Sequence, residues 1–564
     1  MSGEEKQQWE QISAAKRKAL LASIPKEWRV PTDILPPDSQ LDVTGFPASS
    51  GWFTERELEI TAASASVILA NIKSRTWNAE EVVRAFSKGP PRRMYYRPLT
   101  SDDRFKVNCL SETLFDDAIA TAKSLDSHLN STGETVGPLH GLPISLKDNF
   151  NIIGKDSTVG FVSWVNDPAK YNSNIVDLLR DAGAVLYVKT NVPTAMMIPE
   201  TVNNVFGRTV NPLNRSLTSG GSSGGESALI AFGGSPLGVG TDIGGSLRIP
   251  AACTGIFTLR PSFGRFPTLR ARTGLAGQEA VNSVNGPMGR TLEDIVLLSK
   301  VIVNSEPWHK DPKCLPIPWR RVEEKTKLKL GVLWHDGMAR PTPPVQRALK
   351  ETVEKLKKAG HDIVDWAPEG HAQALGILGR MFVADGGKSV RKILELVNEP
   401  WRPEMEYFTK AQELGVYDMW QLQLERSELC KQYLDRWQAC DGLDAILAPT
   451  TPYASVENGK FRHVGYTGVY NILDYSAVSF PCGVTADKDL DQPTEKDALS
   501  DMDADMQKDC KPPKHFEDYS NDVAKNFADD AANVHGMPVS LQLIAQRLEE
   551  EKVLSMTETI LKAL

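Results

Sequence analysis

Residues 173–190, SNIVDLLRDAGAVLYVKT, decide the fold class. They read as a helix that passes through Ala182-Gly183 into an apolar strand. Earlier, GLPISLKD (141–148) reads as another short apolar strand. From Gly137 onward the chain keeps this character, with brief apolar strands between glycine-rich turns and helices. Residues 326–366 repeat it: strand KLKLGVLW, helix VQRALKETVEKLKKAG, strand HDIVDW. The alternation predicts an α/β fold with its sheet buried between helices. We expect one large domain with a mixed central sheet covered by helices on both faces. Before Gly137, Glu55–Asn71 and Ala79–Ser87 read as helices. Residues 1–47 read as a helical and loop extension, whose Trp9, Ile12, Leu20, Leu21 and Ile24 alternate with charges as in a peripheral amphipathic helix. Residues 48–564 would form the main domain.

Composition bounds the function classes. The 564 residues are 41% hydrophobic and 24% charged, which excludes a mainly disordered or fibrous chain. Lys and Arg number 64 against 72 Asp and Glu, so no basic excess points to nucleic acid or an anionic membrane. The seven cysteines are scattered without zinc spacing, and no disulfide framework is implied. The first 25 residues lack the apolar core of a signal peptide, and no apolar run approaches a transmembrane span. The expected location is cytoplasmic. One region is unusual: Asp487–Asp530 carries 14 acidic and 6 basic residues. Such a composition disfavours core packing and reads as a solvated, non-catalytic surface excursion.

Two glycine-serine stretches hold the candidate chemistry, Ser219-Gly-Gly-Ser-Ser-Gly-Gly-Glu226 and Gly240-Thr-Asp-Ile-Gly-Gly-Ser-Leu-Arg-Ile-Pro250. Glycines let backbone amides approach a ligand, and small residues beside a serine suit a nucleophile with an oxyanion hole. The plain alternative is two flexible turns. A phosphate-cradling loop fails, because Glu226-Ser227 stands where Lys-Ser/Thr is required. A hydrolase elbow is formally present, with Ser223 central to GxSxG and His463, His515 and His535 downstream. None of these histidines lies in a recognisable catalytic loop. A lysine base is the third reading. In strand 144–148, alternation places Ser145 and Lys147 opposite Ile144 and Leu146. On pattern alone that lysine faces solvent.

Taken together, GLPISLKD, GGSSGGESALI and GTDIGGSLRIPA closely resemble the amidase signature family. Lys147 and Ser222 are 75 residues apart, and Ser222 and Ser246 are 24 apart. The resemblance extends through ETVNNVFGRTVNP, LAPTTP, NILDYSAVSFPCG and HGMPVSLQLIA, and so over essentially the whole chain. QISAAKRKALLASIPKEW and GPLHGLPISLKD are most similar to fungal acetamidases. The resemblance implies a Ser-cisSer-Lys triad, with Ser246 as nucleophile, Ser222 as bridging hydroxyl after a cis Gly221–Ser222 peptide, and Lys147 as base. It also implies an oxyanion hole from the amides of Ile243, Gly244, Gly245 and Ser246. Asp242 and Arg248 would be orienting residues.

The implied activity is hydrolysis of a linear carboxylic amide, acetamide-like or with another small to medium acyl group, to carboxylate and ammonia or amine. Free lysine titrates near 10.4 and is protonated at neutral pH, but burial lowers that value. Neutral Lys147 could then draw a proton from Ser246 through Ser222 and return it to the leaving amine. No metal or organic cofactor is needed. The expected partners are a small-molecule amide and, at most, a second copy of the chain in a homodimer. Two other functions share these residues: a glutaminase-type subunit of a transamidation complex, and a non-catalytic binding protein. One stretch departs from the family pattern. Gly89–Val107 interrupts a helix with Gly89-Pro90-Pro91, and reads either as a surface insertion or as an artefact of a mis-spliced gene.

Overall fold

The computed structural model describes residues 7–88, 107–492, 497–509 and 532–564. Its strands are β1 (Leu110–Thr113), β2 (Pro143–Lys147), β3 (Val185–Thr190), β4 (Val202–Asn203), β5 (Gly207–Arg208), β6 (Leu237–Asp242), β7 (Phe257–Arg260), β8 (Val284–Gly289), β9 (Lys329–Val332), β10 (Asp362–Asp365), β11 (Ala445–Pro449), β12 (Ala477–Thr485) and β13 (Pro538–Ile544). Strands β4 and β5 form a small hairpin. The other eleven make one sheet in the order β1-β3-β2-β6-β8-β7-β12-β13-β11-β9-β10. It is mixed: β3, β2 and β6 run parallel, as do β11, β9 and β10, while the strands between are antiparallel.

The predicted helix and strand of residues 173–190 are the helix Asn174–Asp181 and β3. Every residue of β2, β3, β6, β8 and β11 is buried. A sheet wet on one face would alternate buried and exposed positions, so helices cover both faces here. The main hydrophobic cluster draws on residues from Leu20 to Ile560, as a single large α/β domain requires. This double covering corrects the reading of Lys147. Alternation does set it opposite Ile144 and Leu146, but its own face is also covered and its side chain has no exposure.

Local departures have local causes. The predicted helix 55–71 is two helices, Glu55–Ala62 and Ala65–Lys73, because Ala63 is extended and the Ser64 side chain caps the second by accepting from Val67 N. The helix Gln8–Ala22 lies against the sheet edge. Leu20 is buried, Lys16 pairs with Asp156 at 2.7 Å and with Glu112, and Arg17 donates to the Val205 carbonyl at 2.7 Å. Of Gly89–Val107, only Val107 is among the described residues. The described part of the acidic segment is anchored to the body. Asp491 is buried against Arg347 at 2.7 Å, and Asp503 accepts from Arg340 N at 2.9 Å and Leu499 N at 2.8 Å. No helix among the described residues is long and apolar enough to cross a membrane.

Lys16 ion-pairs with half-buried Glu112 and buried Asp156, so removing it strips both carboxylates of that partner. Lys16→Ala is expected to destabilise the fold by on the order of 3 kcal/mol, read from denaturant unfolding. A loss within about 0.5 kcal/mol, typical of a surface change, would show that the contact is not structural.

Candidate active site

Strand β2 ends in Lys147, and its Nζ has two hydrogen-bond partners, Ser222 Oγ at 2.7 Å and Thr241 Oγ1 at 2.6 Å. Thr241 comes from the neighbouring parallel strand β6. Ser222 comes from the turn before the helix Gly224–Ala231, and the Gly221–Ser222 peptide is cis. Glycine is required at 221, because a Cβ there would sit 2.7 Å from the Glu200 backbone. Ser246 lies in the turn between β6 and the helix Arg248–Thr254, and its carbonyl accepts from Ser223 N at 3.2 Å, which ties the two serine stretches together. Gly245 has φ +132°, where an added Cβ would overlap the Thr467 hydroxyl.

Burial dominates the electrostatics. It drives the Lys147 pKa down to about 7, although Asp242, Glu226 and Asp148 pull it upward. Glu226, in the first turn of its helix, moves the other way: burial raises it to about 7 against hydrogen bonds from Ser145 and Thr190 and the nearby lysine. Asp242 is also buried, but Arg248 more than compensates and holds it at about 2. Their contact is two-pronged, Arg248 Nε to Oδ2 at 3.1 Å and an Nη to Oδ1 at 3.2 Å. Asn471 joins them, accepting from Arg248 at 2.7 Å and donating to Asp242 at 2.8 Å, and Gln542 accepts from Arg248 at 3.3 Å.

Asp242 also organises the backbone of the turn. Its Oδ1 accepts from Gly245 N at 2.8 Å and its Oδ2 from Leu247 N at 3.2 Å. The Gly245 amide is thus engaged by the carboxylate.

Half-buried Ser246 lines a cavity of about 370 Å³ together with Gly221, Ile243 and Gly244; Leu378, Phe382 and Phe461 supply much of its apolar wall. A second cavity, about 260 Å³ and more polar, reaches Thr241 and Ile243 past Arg270 and Arg272. A larger one of about 570 Å³ lies between the helices Asn174–Asp181 and Leu292–Asn304 and touches none of the candidate residues.

The geometry gives the hydrolase elbow no support. Ser223 is fully buried, with its hydroxyl between the amide and carbonyl of Thr241. His463 bonds Asp336, and His535 accepts from Lys488 N at 3.2 Å. His515 lies outside the described residues. Sequence reasoning missed Thr241 and Glu226 as neighbours of Lys147, although both lie inside the two stretches it selected. It also missed Asn471 and Gln542, although they lie in the quoted stretches NILDYSAVSFPCG and HGMPVSLQLIA.

Residues 103–554 match the model of the amidase family. The chain is 38% identical over 574 residues to an acetamidase of Emericella nidulans, covering 99% of this chain and 98% of the relative. It is 36% identical over 572 residues to an acetamidase of Aspergillus oryzae, with 99% of each covered. Among solved structures, a fatty acid amide hydrolase superposes with a TM-score of 0.88 at 32% identity, covering 98% of this chain and 95% of that one. The chain belongs to the amidase family and is an amide hydrolase.

Proposed function

We propose that the chain hydrolyses linear carboxylic amides through an acyl-enzyme on Ser246, with Ser222 as relay and Lys147 as base. The observation that carries this reading is the 2.7 Å contact between Lys147 Nζ and Ser222 Oγ, in a fully buried setting beside the cavity that Ser246 lines. A serine hydroxyl needs a neighbouring base to attack a carbonyl, and a lysine that titrates near 7 can serve. Thr241 accepts a second hydrogen bond from the same nitrogen and fixes its direction. The free amides of Ile243, Gly244 and Ser246 are suited to the developing oxyanion. Asp242 and Arg248 orient that turn and move no proton.

The cavity favours acyl groups larger than acetyl. Its 370 Å³ falls in the lower range of ligand pockets, roughly 300–1,000 Å³, and an acetyl group would leave most of it empty. The more polar second cavity reaches Thr241 and offers water and the departing amine a route.

Four outcomes check the reading. Ser246→Ala should abolish turnover; Lys147→Ala should lower it by about 10²–10⁴-fold, and Ser222→Ala should fall between them and wild type. These losses should not add, because the three groups act as a unit. A fluorophosphonate label mapped by mass spectrometry to Ser223 instead of Ser246 would overturn the nucleophile. The base must be neutral to act, so kcat should rise with pH through about 7; a flat profile from pH 5 to 9 would exclude a lysine of that pKa. On a series from acetamide to octanamide, kcat/KM should rise, by up to about fourfold per methylene that is fully buried. A decline beyond acetamide would mean the cavity does not take the acyl chain.

A further inference from the structure

Lys147 and Ser222 form one of two parallel contacts between the same two segments. Two residues before Lys147 on the same face of β2, Ser145 donates to Glu226 Oε1; four residues after Ser222, Glu226 stands in the first turn of its helix. Successive same-face residues on a strand are about 6.6 Å apart, so the Ser145–Glu226 contact runs beside the Lys147–Ser222 contact like an adjacent rung of a ladder. Thr190 of β3 donates to the other carboxylate oxygen at 2.6 Å. Ser145, Thr190 and Glu226 are all fully buried. No arginine or lysine forms an ion pair with Glu226 among the described residues. Space has been kept for this carboxylate: a Cβ on Gly238 would overlap both Glu226 Oε1 and Ser145 Oγ.

We propose that Glu226 is a positioning residue for amide cleavage, which through Ser145 and Thr190 locks the helix start onto β2 and β3 and so holds Lys147 Nζ on the Ser222 hydroxyl. The inference rests on the reading of Lys147 as base. The acyl pocket plays no part in it. A fully buried carboxylate without an ion pair is costly, and two hydroxyl donors are few for it. The arrangement makes sense where the adjacent contact must keep its length. A displacement of about 1 Å at a reacting group can cost 10²-fold in rate.

Charge gives the proposal a readout that simple packing lacks. The acidic groups around Lys147 are Glu226, Asp148 on its own strand and Asp242 at the end of β6. Around Glu226 stand Lys147, Cys109 and Tyr187, and burial keeps the last two protonated. Lys147 and Glu226 both titrate near 7, so across the acidic limb they change charge as a coupled pair, and the neutral lysine forms against an ionised Glu226. Glu226→Gln retains an acceptor and the side-chain shape but removes the negative charge. Lys147 then loses its proton more readily, and the acidic limb of kcat moves to lower pH.

The test measures kcat, KM, the pH profile and the thermal midpoint for Ser145→Ala, Glu226→Gln and, as control, Lys147→Ala on one amide. We expect Ser145→Ala to lower kcat about tenfold or more with KM within twofold, and Glu226→Gln to shift the acidic limb downward by half a pH unit or more (order-of-magnitude expectations from misplacement and from loss of one neighbouring charge). Unchanged kcat in the first together with an unmoved limb in the second overturns the proposal, even if the thermal midpoints fall. Should Ser145→Ala not fold, the near-isosteric Glu226→Gln decides alone. Wild-type turnover in Lys147→Ala would instead remove the base assignment on which the proposal stands. An inactive Lys147→Ala beside unaltered Ser145→Ala and Glu226→Gln would remove only the role given to Glu226.

Discussion

A lysine side chain with no solvent exposure, held at 2.7 and 2.6 Å by two hydroxyls, is the constraint on which the rest of this site depends. Hydroxyl oxygens stabilise an ammonium far less than a paired carboxylate would, and burial penalises the charged form directly. Both effects lower the affinity of Lys147 for its proton. The nearest acids work against this, so the sheet must bury the lysine completely for the balance to settle near neutrality. That burial needs an extended covering: β2 is third from one edge of the sheet, flanked by β3 and β6, and walled on the lysine face by the helix Gly224–Ala231.

The second buried charge system, Asp242 with Arg248, behaves in the opposite way. It stays ionised because nearly every polar atom has a partner. The guanidinium meets a carboxylate, an asparagine and a glutamine, and the carboxylate meets a guanidinium, an amide side chain and two backbone N–H groups. A buried pair of this kind costs a great deal in desolvation, and the extra hydrogen bonds are what offset it. The result is a rigid turn after β6, braced against the helix Gly465–Leu473 and β13. Rigidity suits the oxyanion hole proposed for this turn, which works only when its donors are held before the charge arrives. The same brace holds the Gly245 amide on the Asp242 carboxylate at 2.8 Å.

The cavity next to Ser246 draws its walls from segments distant in the chain. Leu375, Leu378 and Phe382 come from the helix His371–Phe382, Phe461 and His463 from the loop before the helix Gly465–Leu473, and Met502 from the helix Asp501–Asp509. The last is notable because its composition reads as solvated surface. Met506 nevertheless packs with Ile249, Tyr453 and Phe461, and Met502 reaches His463 at 3.0 Å. Met506 is buried in that cluster while Met502 stays partly exposed, and buried Asp503 adds backbone hydrogen bonds from Arg340 and Leu499.

The sequence alone determined the strand and helix alternation, the face shared by Ser145 and Lys147, and the two glycine-serine turns. These are local properties: period-two patterning, glycines where the backbone crowds a neighbour, and spacing between motifs. The cis Gly221–Ser222 peptide followed from family resemblance and from nothing visible in the residues themselves. Tertiary structure decided what those residues experience. Alternation cannot distinguish a half-wet strand from one covered on both faces, so the burial of Lys147 is set by helices that lie tens to hundreds of residues away. The hydroxyl of Thr241, the carboxylate of Glu226 and the capture of the Gly245 amide by Asp242 depend on which atoms packing brings within about 3 Å, a hydrogen-bond distance. Periodicity records which face a residue takes, while the three-dimensional fold alone settles what stands opposite it and whether water can reach it.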